Sequence, residues 1–293
     1  MKKIDIKSAI IGALCTVIVF MFVGANSQNK NLGDIVVNSI KIMDNGDGGW
    51  LESYNSEGIR TCSLGNNNGR GQFTIYNLKG IPISVQSSVS NGGGYLSILN
   101  TNFIETTVIG SDSTGGYIEI YNSEHKDITF LGINEMGGGV LALYNANGKK
   151  ASVLSSDKYG GFLTTFNSDN KKTSVVSGDK FGGFLTIFNS DEKKASEISG
   201  NDIGGYLRTF NSDGNQTSYL GTGDKDGGYL RTYNSDGKET SYLGTGDKDG
   251  GLLNINNSHG NVIGYLGPNA DNDGIIYLND RYGDYGWGMS GKK

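Results

Sequence analysis

Proline is nearly missing from this chain, which holds only Pro82 and Pro268 in 293 residues, along with 2 cysteines, 2 histidines and 2 tryptophans. Ordinary usage would supply about 5% proline. Proline removes a backbone N–H and is tolerated only at the margins of a sheet. A chain that spares so few N–H groups is one in which most residues donate to a ladder. The shortage excludes collagen, which needs proline and a glycine at every third position. Cys15 sits inside an apolar run, so it and Cys62 make no internal disulfide framework. His125 and His259 are too few for most histidine-based metal or nucleophile sites. With 25 basic and 30 acidic residues and a net charge of −5, nucleic acid is not the expected partner.

What is present points the same way. Glycine supplies 48 residues, tyrosine 16 and phenylalanine 11, and hydrophobic residues make up 35%. That is enough apolar surface to exclude disorder, and enough glycine for many turns with positive φ. Many short β-strands are the simplest solution.

The N-terminus carries the clearest local signal. Residues 1–7 include Lys2, Lys3 and Lys7 and form a basic n-region, and 8–25 form an uncharged run rich in Ile, Val, Leu and Phe. A spanning helix needs about 17–25 such residues and a signal-peptide core about 7–15. The run reads as a signal-anchor helix or a signal peptide. Val23-Gly24-Ala25 supplies small residues for cleavage before Asn26. Either way the lysines stay inside and the rest is exported, membrane-anchored through the helix or secreted if cleaved. Residues 26–33 read as a linker.

From 34 to 283 the chain repeats. An asparagine recurs at Asn55, Asn77, Asn100, Asn122, Asn145, Asn167, Asn189, Asn211, Asn234, Asn257 and Asn279, always 22 or 23 residues apart. A half-repeat, 35–43, precedes them. Self-similarity at such a period is the signature of a repeat architecture. Each repeat holds two Asn/Asp-x-x-Gly turns, such as Asn211 to Gly214 and Asp179 to Gly182. The Asn or Asp side chain caps a type I turn, and the glycine takes the left-handed position of a bulge. Three first turns, at Asn122, Asn167 and Asn189, lack the glycine, and Asn170 replaces it in one.

The strands between turns alternate. In Phe184-Leu185-Thr186-Ile187-Phe188 the aliphatic residues face one way and the aromatics flank a polar residue on the other. Neither pattern matches a sheet with one face wet. Two all-β architectures fit. One is an elongated antiparallel meander of tandem β-hairpin repeats, about 100 Å along the sheet at about 4.8 Å per strand. The other is a β-solenoid with one repeat per coil, rising about 50 Å. Bulge-type turns occurring twice per repeat favour the hairpins. A homotrimer would cover the aromatic face. Residues 284–293 break phase and read as a C-terminal cap, with Tyr282, Tyr285 and Trp287 over the last strand.

Few residues carry chemistry. The acidic turns Asp224 to Gly227, Asp247 to Gly250 and Asp271 to Gly274 lack the terminal glutamate of a calcium loop and read as turn formers. Arg208 and Arg231 occupy one position in successive repeats beside Tyr206 and Tyr229. Such pairs suit stacking on a sugar, and equally cation–π packing within the sheet. The paired lysines Lys171, Lys172, Lys193 and Lys194 fall at turns along one edge. There they would meet an anionic polymer or guard the edge against aggregation. No nucleophile with its base, no metal-ligand spacing and no cofactor motif emerges, so the expected function is non-enzymatic. It is a surface or periplasmic scaffold, with a polysaccharide-binding module or a solenoid carbohydrate-active enzyme as rivals.

The segments Tyr233-Asn234-Ser235-Asp236-Gly237-Lys238, Leu243-Gly244 and 247–251 resemble the glycine-rich hairpin repeats of uncharacterised bacterial exported proteins. They are loosely similar to MORN-type repeats as well, though the Tyr/Trp-Gly spacing of those is absent. The resemblance covers 34–283. It implies export and an elongated β-repeat, and carries over no activity.

Overall fold

A computed structural model of the chain describes residues 6–25, 39–43, 49–89, 92–202, 204–223, 227–246 and 250–291. The linker expected at 26–33, the cleavage point before Asn26 and the tips 224–226 and 247–249 lie outside the described residues, as do 35–38 of the half-repeat and 1–5 of the basic n-region. Two compact units separate, Met1–Met43 and Asp44–Lys293.

The first unit contains one helix, α1 (Ile6–Ala25), formed by the uncharged run behind Lys7. Among the described residues no helix is long and apolar enough to cross a membrane. The expectation of a spanning helix gains no support here.

Among the described residues the second unit is a single 22-stranded sheet, from β1 (Trp50–Tyr54) to β22 (Tyr285–Ser290). Every strand pairs antiparallel with the strand next to it in sequence, so the topology is an open meander of tandem hairpins. The solenoid is overturned. Its coils would stack equivalent residues in parallel, whereas here equivalent residues lie two strands apart. The tail is also a strand rather than an aromatic cap, because β22 continues the ladder and leaves Tyr282, Tyr285 and Trp287 exposed.

Local chemistry explains why the chain reverses where it does. At the first turn, Glu57 N–H and Ile59 N–H donate to Asn55 Oδ1 at 3.0 and 2.8 Å. Gly58 N–H donates to Asn55 O at 3.1 Å, with Gly58 at φ +77°. A glycine at such a φ escapes the Cβ clash that other residues meet. The same bonds recur at Asn77, Asn145, Asn211 and Asn234. Where glycine is missing the turn persists, with Phe103, His125, Asn170 and Glu192 held at φ 57–63°. The turn at Asn100, with Phe103, thus joins the three that the sequence marks. The second turn is built on aspartate or asparagine: Tyr159 N–H and Gly160 N–H donate to Asp157 Oδ1 at 2.7 and 3.0 Å, and Asn134 and Asn201 accept in the same role.

The two faces of the sheet differ sharply. On the aliphatic face a ladder runs through every strand: Leu51, Leu64, Phe73, Gln86, Leu96, Ile109 and onward to Met289. Gln86 is its one polar member. Return-strand leucines stay half exposed, Leu220 at 53% and Leu243 at 54%. On the other face the middle row is better covered: Ser63 at 0%, Thr74 at 1% and Thr186 at 3% are buried, and from Arg208 onward its members are half-buried. In β13 (Gly182–Phe188), Thr186 lies between Phe184 and Phe188 and pairs with Val175 and Glu197. The sequence assigns the need for cover to the aromatic face. That face covers its own middle row, and the aliphatic ladder is the one left open.

Candidate binding clefts on the aromatic face

The aromatic face gains its structure from a pattern of large against small. In β15 (Gly204–Phe210) and β17 (Gly228–Tyr233) the forward strands carry Tyr206 and Tyr229. In β16 (Gln216–Thr222) and β18 (Glu239–Thr245) the return strands present Gly221 and Gly244 opposite those rings. A Cβ on Gly244 would lie 2.4 Å from Tyr229 Cβ, and one on Gly221 would lie 2.6 Å from Tyr206 Cβ. Tyrosine therefore packs flat across a glycine in each hairpin. Gly110 lies under Tyr117 in the same way, and Gly65 under Trp50.

This leaves the rings free to stack on one another. Tyr206, Tyr219, Tyr229 and Tyr242 form a continuous run with centroid separations of 5.6, 4.9 and 5.6 Å. Offset stacking at such distances adds to the area each ring buries. Arg208 and Arg231 pair across the strands with the tyrosines between them. The Arg208 guanidinium lies 4.3 Å from the Tyr206 centroid and 5.3 Å from that of Tyr219. Arg231 repeats the geometry at 4.7 Å over Tyr229 and 5.3 Å over Tyr242.

Glu197, in β14 (Lys194–Asn201), closes one end of this array. It is buried, accepts from Tyr206 Oη at 2.6 Å and pairs with Lys194 Nζ at 2.5 Å. Burial pushes its carboxyl up, but Lys194, Tyr206 and Arg208 together outweigh burial and hold it below the usual carboxylate range. The same bond, with burial, raises Tyr206. Tyr229 is pushed up to about 12, first by burial and then by its contact with Tyr219.

Between the rows open two equivalent clefts, one repeat apart. The larger, about 480 Å³, is lined by Tyr229, Arg231, Glu239, Tyr242, Thr245 and Asn254 among others. The smaller, about 200 Å³, is lined by Tyr206, Arg208, Tyr219 and Thr222. Arg208 Nε, Arg231 Nε and Asn254 Oδ1 are buried without a hydrogen-bond partner. Arg231 Nε sits 3.4 Å from Glu239 Oε2, near enough to pair in charge but out of line for a hydrogen bond.

The structure thus brings Arg208, Arg231, Tyr206 and Tyr229 together. It does not gather the lysines with them. Lys171 Nζ donates to Ser190 O at 2.8 Å and Lys193 Nζ to Ser212 O at 3.0 Å, each reaching the next repeat's turn. Lys149 does the same to Ser168 O at 2.9 Å. Lys172 is exposed, and its backbone N–H donates to Glu192 Oε1 at 3.0 Å. Only Lys194 joins the array, through Glu197. Sequence reasoning missed Glu197, Tyr219, Tyr242 and the glycines beneath the rings. The signal was the recurrent Tyr-Leu-Gly of the return strands, at Tyr219-Leu220-Gly221 and Tyr242-Leu243-Gly244.

Among the described residues no group of three His, Cys, Asp or Glu side chains is placed to hold a metal ion. No protein-family model matches this chain. No curated protein matches it. Among solved structures, the crystal structure of TcdB2-TccC3 is similar at a TM-score of 0.21 and 10% identity, over 84% of this chain. This chain spans 16% of the length of that one, and a likeness so weak carries no argument.

Proposed function

We propose that the protein is a non-enzymatic, exported β-repeat scaffold whose task is to present a periodic face. The observation that carries this reading is the aliphatic ladder, one apolar position per strand, open along the sheet and broken only at Gln86. Lys2, Lys3 and Lys7 before an uncharged run support export. A signal-peptide core of about 7–15 apolar residues fits that run without requiring a spanning helix. Anchored and secreted forms both follow from it.

The test is protease access. In bacteria expressing the full chain, added protease should digest the repeats either in intact cells or once any outer envelope has been stripped to give spheroplasts. Protection that persists in spheroplasts and ends only on lysis would place them in the cytoplasm and end the reading.

A second reading, a polysaccharide-binding module, draws on one observation. Two equivalent clefts hold stacked tyrosines, an arginine each and unpartnered buried polar atoms. Aromatic faces with adjacent donors suit sugars. Replacing Arg208 and Arg231 together should abolish pull-down on glycan resin and leave the circular dichroism unchanged. Absence of pull-down by the parent chain removes this reading.

A further inference from the structure

We infer that the aliphatic face is an interface between copies of this chain, the ladder of one packed against the ladder of another. The inference deepens the scaffold reading and rests on it, by naming the partner of the face.

Four observations lead there. The first is area. The exposed aliphatic side chains of the ladder and of the row beside it, including Ile75, Ile120 and Ile255, present on the order of 2,000 Å², against about 300–600 Å² for the largest patch on an ordinary monomer. A stable interface needs about 800 Å² per partner, so the face exceeds the requirement of a dimer.

The second is charge. The ladder contains no ionisable side chain, and the row beside it alternates Ile, Leu or Thr with Ser, Thr, Gly or Cys, ending at Trp287. The hydroxyls of that row satisfy one another: Thr209 Oγ1 lies 2.6 Å from Ser218 Oγ, and Thr232 Oγ1 lies 2.7 Å from Ser241 Oγ. A solvated sheet face carries interspersed charges, and these two rows carry none.

The third is the other face. Its carboxylates Glu197 and Glu52 are engaged within the chain, Glu197 by Lys194 and Tyr206, Glu52 by Arg60. Its middle row is buried or half-buried. The exposed aliphatic ladder is confined to one side.

The fourth is period. The ladder repeats every two strands, about 10 Å, across the whole sheet. A partner that fills such a face along its length must repeat at the same spacing, and a second copy does. Two such faces stack about 10 Å apart with side chains interdigitating, as sheets in a sandwich do. The contact is then isologous, each copy offering the same rows.

The experiment is light scattering of the full chain, free of lipid, beside the variant Leu220→Glu/Leu243→Glu and the control Lys238→Glu. The parent and control should have at least twice the 31.2 kDa mass of one chain. The double variant should associate roughly a hundredfold more weakly, since each change puts a charge where an apolar side chain would be buried. Because α1 is identical in all three, a mass that survives the double substitution assigns assembly elsewhere and overturns the inference. A parent that is folded by circular dichroism at 31.2 kDa overturns it too. So does a monomer whose flotation with phosphatidylcholine vesicles is lost in the double variant, which would make lipid the occupant.

Should the double variant fail to fold, a nitroxide on Leu220→Cys replaces it, in a Cys15→Ser/Cys62→Ser background. It should be immobilised in the parent assembly, while the same label at Asp213→Cys stays mobile. Equal mobility overturns the inference. None of these outcomes depends on whether the chain is exported, so the two readings fail separately.

Discussion

Leu243 and Gly244 are neighbours in β18 and point to opposite faces. Leu243 keeps 54% of its surface exposed, while Gly244 has no room for a single methyl group under Tyr229. The aromatic face is largely covered within one chain: rings lie over glycines, Glu197 and Glu52 are paired, and the row between is buried or half-buried. The aliphatic face is left open over the same strands. One sheet thus carries a closed side and an open side, and the difference teaches that burial here is decided by side-chain size across a hairpin. Large opposite small closes a face, whereas aliphatic opposite aliphatic leaves a ridge with nothing above it.

This contrast can be broken most forcefully at the glycines. Gly244→Ala places a Cβ 2.4 Å from Tyr229 Cβ and 2.9 Å from Gly228 O. Overpacking of that kind costs about 1–3 kcal/mol, so urea unfolding should show a loss in the upper part of that range. On the open face Leu243→Ala, measured at the lowest workable concentration, should cost about 1 kcal/mol or less, because half of that side chain has no contacts to lose. Equal costs would mean that the faces do not differ.

The next effect is that of Arg231→Ala, which removes two ring contacts at 4.7 and 5.3 Å. A loss of about 1 kcal/mol is expected, again by urea unfolding and with the far-ultraviolet spectrum retained.

Two pH effects bracket the same array. Glu197 is held below its ordinary 4.5 in the folded chain, so its contribution is present above 4.5 and is lost as pH falls through the lower folded value. Glu197→Gln should flatten the acid limb of the stability curve. Tyr229 is raised from 10.0 to about 12, so stability should be complete below pH 10 and decline as pH rises toward 12. Absorbance of tyrosinate at 295 nm should show late ionisation, and Tyr229→Phe should advance the remaining titration.

The smallest effect has the opposite sign. Phe103 occupies the left-handed position at φ 62° where most repeats place glycine. Phe103→Gly should therefore stabilise the sheet by about 1 kcal/mol or less, read as a raised midpoint of thermal unfolding.

Much of the fold was legible because turn chemistry is local. Asn55 caps its own turn through Oδ1, and the 22- or 23-residue spacing repeats that bond along the chain. Meander and solenoid could not be parted by spacing, since both place equivalent residues in register. Partner strands decide between them, and those are a matter of pairing across space. At the site, the arginines and forward-strand tyrosines stood out because they recur in phase. Glu197 did not, because its importance comes from lying beside Arg208 on the adjacent strand. The lysines misled for a related reason. A lysine at a turn looks solvated in sequence, yet Lys171 and Lys193 are spent on carbonyls 19 residues ahead.

The open face is the centre of the account, and the reactivity of a thiol placed on it tests the account most directly. In a Cys15→Ser/Cys62→Ser background, Leu220→Cys should be alkylated by a maleimide slowly at high protein concentration and faster on dilution, as copies separate. Asp213→Cys, at an exposed turn, should react at one rate throughout. Rapid alkylation of Leu220→Cys at every concentration, in a chain that remains folded, would show that nothing covers the ladder and would contradict the account.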